Sequence, residues 1–116
     1  MRRTLGMTLA IALAPGIAFA QAGAAAHGRE VYDLWCSSCH KPLGPLVSSV
    51  AGTVALARKY QGTDTPAALE QRTDLSPELV RHVVRHGVKS MPFFRKTEIG
   101  DADLDDLATY LSHVAR

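Results

Sequence analysis

At 116 residues the chain is long enough for one domain and too short for two. Thirteen basic residues stand against eleven acidic ones; Arg2 and Arg3 belong to a leader, the remainder is balanced, and nucleic acid is not an implied partner. Three Phe, three Tyr and one Trp make a modest apolar core for a domain of this size.

Residues 1–20 differ in character from the remainder of the chain. Arg2 and Arg3 form a basic start, Leu5 to Ala14 an apolar run, and Ala18-Phe19-Ala20 a small-x-small cleavage pattern before Gln21. The expected organisation is therefore a signal peptide over 1–20 and one domain over 21–116. The apolar run is shorter than the ~20 residues of a spanning helix, so no stable membrane insertion is expected once the leader is removed, and the mature protein is expected to be soluble.

Gln21 to Ala26 is a small-residue lead-in without periodicity, expected to be frayed. From His27 the pattern turns helical, with Val31, Leu34 and Trp35 at helical spacing and Glu30 and Asp33 early, where acids suit the helix dipole. This helix runs into Cys36-Ser37-Ser38-Cys39-His40. Two thiols three positions apart can add to the two vinyl groups of one haem, and the imidazole directly after them can supply an axial nitrogen to its iron, so the stretch reads as a c-type haem attachment site. Three other chemistries use parts of this pattern. A thioredoxin-like redox pair belongs beside a βαβ unit, which the chain does not suggest. A zinc site would draw its other ligands from the i, i+4 pair His82 and His86. A disulfide between Cys36 and Cys39 would close a very short loop and leave His40 without a role.

On the pentapeptide and the elements around it the chain resembles the small monohaem cytochromes c of class I. The resemblance implies an all-α fold of three main helices around one covalently bound haem c, held through Cys36 and Cys39, with His40 as an iron ligand. It also implies that the first helix crosses the last at a small residue and an aromatic, roles that fall on Gly28 and Tyr32. A buried porphyrin would supply much of the core.

Lys41 to Leu46 is a loop with two prolines and a glycine that cannot continue a helix. By the same resemblance the Pro45 carbonyl would accept a hydrogen bond from His40 Nδ1 and turn Nε2 toward iron. Val47 to Tyr60 reads weakly, as a short helix around 53–60, and Ala67 to Gln71 as a single helical turn. Leu75-Ser76-Pro77-Glu78-Leu79-Val80 is a sharper signal: Ser76 suits the N-cap, Pro77 the first helical position, and Leu75 can staple to Val80. The helix is predicted over 77–86, with Leu79, Val80, Val83 and Val84 on one face and Gly87 as its left-handed C-cap. Arg81, His82, Arg85 and His86 make a solvated basic face.

Met91 lies in the loop after this helix, before Pro92 and two phenylalanines and fifty-one residues after His40. The resemblance assigns it as the sixth iron ligand, and no other methionine remains once the leader is gone; His82 or His86 would give bis-histidine ligation instead. A thioether favours ferrous iron more than a second imidazole does, which raises the reduction potential. The last helix opens at Ile99-Gly100-Asp101, with Asp101 as N-cap, Asp103, Asp105 and Asp106 complementing the dipole, and Leu104, Leu107, Ala108 and Leu111 as its apolar stripe. Tyr110-Leu111 resembles the pair that packs the family's terminal helix on the first.

The implied function is that of a periplasmic one-electron carrier with no substrate chemistry of its own. It is similar to the cytochromes that serve periplasmic flavin- or quinone-dependent dehydrogenases of the p-cresol methylhydroxylase type. Its partner would be a redox protein, such as a dehydrogenase, a terminal oxidase or another cytochrome. A haem-based ligand-binding or sensor protein with a labile sixth ligand is the alternative. Between Arg72 and Lys96 six cations face two acids, whereas Glu98 to Asp106 holds five acids and no base; this separation predicts a dipole that steers a partner with an acidic rim.

Overall fold

The best-signalled segment forms as expected. In the computed structural model, which describes residues 16–45 and 49–114, a helix spans Pro77–His86, the Ser76 side chain accepts from Leu79 N, and Pro77 takes the first turn. Gly87 N donates to Val83 O at 2.8 Å and ends the helix. Its φ of 70° and ψ of 173° are not those of a left-handed cap; this region is open essentially to glycine alone. The helices of the described residues are α1 Gly16–Trp35, α2 Ser37–His40, α3 Ala51–Lys59, α4 Pro77–His86 and α5 Asp101–Val114, with a 3-10 turn at Leu69–Gln71. Among the described residues no strand forms, and Val88 and Met91 make an isolated antiparallel bridge. The expected all-α fold is observed, and its three main helices are α1, α4 and α5.

These three meet in one core of Val31, Tyr32, Val80, Val84, Ile99, Leu104, Leu107, Ala108, Tyr110 and Leu111. All four residues of the α5 stripe are buried, as their spacing predicts. The crossing of α1 and α5 is set by Gly28, where a Cβ would lie 2.0 Å from Asp106 O and 2.8 Å from Tyr110 Cβ. One turn on, the Tyr32 and Tyr110 rings pack with centroids 5.7 Å apart. Gly28→Ala should therefore cost about 2–3 kcal/mol in urea unfolding, since both backbones must part. Unstrained, alanine would improve a helix by ~1 kcal/mol, so a variant at least as stable as wild type would refute this close approach.

Three expectations are corrected. The helix expected from His27 begins at Gly16, so Gln21 to Ala26 is helical rather than frayed, as its alanine content allows. Leu34 is 73 % exposed, because Gly28, Tyr32 and Trp35 already define the inner stripe of α1 and Leu34 lies off it. Asp101 is the first residue of α5 rather than its cap; its carboxylate holds Lys96 Nζ at 2.7 Å and Arg85 Nη2 at 2.9 Å, which lowers its pKa. A further contact ties α1 to α5: His27 Nδ1 lies 2.8 Å from Asp106 Oδ2, and that hydrogen bond raises the histidine pKa.

Residues 1–15, which carry most of the expected signal peptide, lie outside the described residues, and α1 runs unbroken across the expected cleavage point. No described helix is long and apolar enough to cross a membrane.

Candidate functional site

The pentapeptide opens one wall of a cavity of about 700 Å³, with α3 beside it and α4 and the 87–94 loop opposite. Leu79, Val80, Val83 and Val84 all line it, so the apolar face of α4 is shared between the core and this space. Its lining is mostly apolar and its mouth is partly open to solvent, which suits a large apolar group with one edge exposed.

Cys36, Cys39, His40 and Met91 all line this one space. Both cysteines are free thiols, Cys36 half-buried and Cys39 exposed. Burial, with a smaller contribution from Cys39, pushes the Cys36 thiol up to about 12. Burial lowers the His40 pKa, which keeps the imidazole neutral and a nitrogen lone pair available for a metal. Gly52 packs on that ring: a Cβ there would stand 2.6 Å from His40 Cε1 and 2.8 Å from Nδ1.

His40 Nδ1 is buried and has no hydrogen-bond partner among the described residues. The Pro45 carbonyl therefore does not accept from it in this structure. The chain leaves α2 in an extended conformation at Lys41 (φ −61°, ψ 153°), and Pro45 stands exposed at the end of the loop. Thr53 Oγ1 donates to Lys41 O at 2.8 Å and anchors the loop start to α3.

Met91 is presented by a tight turn. Val88 N donates to Met91 O at 3.1 Å and Met91 N to Val88 O at 2.9 Å, and Phe94 N ties the segment back to Val84 O at 2.8 Å. Lys89, first of the two central residues, has a φ of 52°; glycine favours such a position, and a side chain there costs about 1 kcal/mol or more. At Gly87 a Cβ would lie 2.7 Å from Met91 O, so this glycine is required by both its φ and the closeness of the Met91 backbone.

The rival metal site is not assembled. His82 and His86 stack on each other with centroids 4.3 Å apart on the exposed face of α4, where His86 Nδ1 bonds to His82 O. Among the described residues no group of three or more His, Cys, Asp or Glu could hold a metal ion.

Sequence reasoning gave no role in the cavity to Gly52, Thr53 or Tyr60, and counted Arg72 only within the basic stretch. Arg72 is 5 % exposed and grips Asp74 through Nε at 2.8 Å and Nη2 at 2.5 Å. Its guanidinium lies 4.7 Å from the centre of the Tyr60 ring, with Lys59 Nζ at 5.0 Å from the same ring. Arg58, Lys59, Arg72 and Lys89 all line the cavity, and no carboxylate does. A cation amid a polar loop carries no signal of burial, so none of this could be read in advance.

The expected charge separation is corrected. Arg81 pairs with Asp105 at 2.6 Å, Arg85 with Asp101 at 2.9 Å, Lys96 with Asp101 at 2.7 Å and Arg95 with Glu98 at 3.5 Å. The basic stretch and the acidic stretch fold against each other and neutralise. Among the described residues Lys89 alone of the six cations forms no ion pair.

The model of the family described as "Cytochrome C oxidase, cbb3-type, subunit III" matches residues 23–111. The chain is 28 % identical over 85 residues to the cytochrome c subunit of 4-cresol dehydrogenase (hydroxylating) from Pseudomonas putida, a match that covers 73 % of this chain and 58 % of that protein. The matched segment thus spans less than two thirds of that relative. No solved structure gives a significant match.

Proposed function

We propose, for a chain that belongs to the cytochrome c family matched over residues 23–111, that the cavity takes one haem c and that the protein carries single electrons. The observation that carries this reading is the convergence of Cys36, Cys39, His40 and Met91 on one apolar space of about 700 Å³. When bound, the haem supplies an iron that passes between ferric and ferrous states.

The residues divide the work of holding it. Cys36 and Cys39 would hold the haem through two thioether links, formed by S–H addition to its two vinyl groups with nothing released. His40 Nε2 and the Met91 sulfur would ligate the iron, a pair that favours the ferrous state and a raised potential. Lys59 and Tyr60 would provide donors for the haem carboxylates, with the guanidinium of Arg72 beside them held by Asp74. The apolar residues of α4 and Trp35 keep water from the ring, which lowers the reorganisation that accompanies each electron. With Met91 lining the same space as His40, an electron carrier is favoured over a ligand-binding sensor with a labile sixth position.

The relative is a subunit of a dehydrogenase, which supports a flavin- or quinone-dependent dehydrogenase as electron donor here. The basic start, apolar run and Ala18-Phe19-Ala20 support export, with cleavage after Ala20 and work in the periplasm. Intact mass measurement of the denatured mature protein tests both: it should begin at Gln21 and carry the mass of one haem. A polypeptide mass alone would overturn the haem assignment, and an uncleaved leader would overturn export.

Docking then rests on Lys89 with Arg58 and Lys59 at the cavity, beside exposed Val88 and Phe93. Lys89→Glu should slow reduction of hexacyanoferrate(III) by the ferrous protein on the order of threefold at low salt, an effect that fades as salt rises. Arg85→Glu should instead destabilise the fold, because Arg85 bridges Phe94 O at 3.2 Å and Asp101. Rates indifferent to Lys89→Glu at every ionic strength would mean that this rim does not steer anionic partners.

A further inference from the structure

We infer that Thr53 and Tyr32 are positioning residues for His40, fixing the ligand through the backbone of the turn that bears it. The inference rests on the proposed haem site and names how this chain orients its histidine.

The single helical turn α2 ends at His40 with Lys41 extended, so the carbonyls of residues 39–41 have no following helical N–H to accept from. Buried hydroxyls from two other helices meet them. Tyr32 on α1, 1 % exposed, donates to His40 O at 3.0 Å. Thr53 on α3, 2 % exposed, donates to Lys41 O at 2.8 Å and lies 3.5 Å from Cys39 O. The neighbour of Thr53 is Gly52, whose backbone lies against the ring edge formed by Cε1 and Nδ1.

The ring nitrogen Nδ1 itself has no partner among the described residues. What locates the imidazole is thus the wall at Gly52 on one side and the backbone anchors on the other. A side-chain hydroxyl that caps a buried carbonyl cannot be removed without leaving that carbonyl unpaired. Losing either anchor should free the turn to rotate and carry the ring with it, while the core of α1, α4 and α5 stays packed.

The test compares Thr53→Val, which keeps shape and removes the hydroxyl, with Thr53→Ser, which keeps the hydroxyl, in the haem-loaded protein. Tyr32→Phe is an independent second variant that retains the ring against Tyr110. Two readouts report the ligand and not global stability. One is hydrogen exchange at the His40 and Lys41 amides, which bond to Cys36 O and Ser37 O. The other is the spread of haem methyl resonances in the ferric protein, which depends on the orientation of the axial imidazole. Thr53→Val and Tyr32→Phe should each speed exchange about tenfold and shift the methyl pattern, and Thr53→Ser should restore both. Leu104→Ala, which opens the core away from the cavity, should lower the urea midpoint and leave the methyl pattern unchanged. Haem-loaded Thr53→Val and Tyr32→Phe with wild-type exchange and methyl pattern would overturn this inference alone, as would an equal shift in Leu104→Ala. A wild-type chain without covalent haem would overturn it together with the haem reading.

Discussion

Replacing Cys36 or Cys39 with alanine should cut the yield of holo-protein about tenfold or more, and what is recovered should carry haem through a single thioether. The size of the effect comes from the cavity. With a space of about 700 Å³ lined by α3, α4 and the Met91 loop, the proposed haem would be the largest apolar group in the molecule, and its loss would remove the surface on which these parts pack. The two positions should differ. Cys36 packs against the core beside Trp35, so truncation there also leaves a hole, whereas Cys39 is exposed. Burial raises the Cys36 thiol to about 12, and a protonated thiol is a poor nucleophile. The link at Cys36 should therefore form before the fold closes, and apo-protein folded in advance should acquire haem more slowly than nascent chain. The pyridine haemochrome checks the prediction, since an unreacted vinyl moves the α band to longer wavelength. Wild-type yield with a wild-type band position from either variant would refute it.

Met91→Ala should open the sixth position, lower the midpoint potential by on the order of 0.1–0.3 V within the ~0.8 V range that axial ligands span, and admit carbon monoxide and cyanide. Cyanide affinity should rise by about 10- to 1,000-fold, the gain expected when a competent state of ~0.1–10 % population becomes the only one. The geometry supports a firm hold. The turn bearing Met91 is closed by two hydrogen bonds to Val88 and a third from Phe94 N to Val84 O, and Gly87 permits the close approach behind it. Met91→His separates ligand identity from occupancy: it should lower the potential yet stay closed to carbon monoxide. A Met91→Ala protein with wild-type spectrum and potential would assign the ligand elsewhere. His82 and His86 would then have to leave the stacked pair they form on the outer face of α4.

Much of the molecule was determined by short-range sequence alone. Cys36, Cys39 and His40 are adjacent, so no fold is needed to bring them together. The bounds of α4 are set by Ser76, Pro77 and Gly87, whose effects reach only one turn. The α5 stripe is likewise legible, because residues three and four apart share a face wherever a helix forms. Tertiary structure decided whatever depends on which segments meet. Arg81 and Asp105 stand 24 positions apart and read as opposite ends of a dipole until α4 packs on α5 and joins them at 2.6 Å. Leu34 fits a helical stripe as well as Trp35 does, and only the crossing at Gly28 selects between them. Thr53 lies in a weakly patterned segment, yet its hydroxyl reaches Lys41 O across 12 positions. Gly52 reads as a helix weakener and proves to be the wall against which His40 lies. In each case the local pattern allows several outcomes of similar energy, and the choice falls to contacts between residues far apart in the chain.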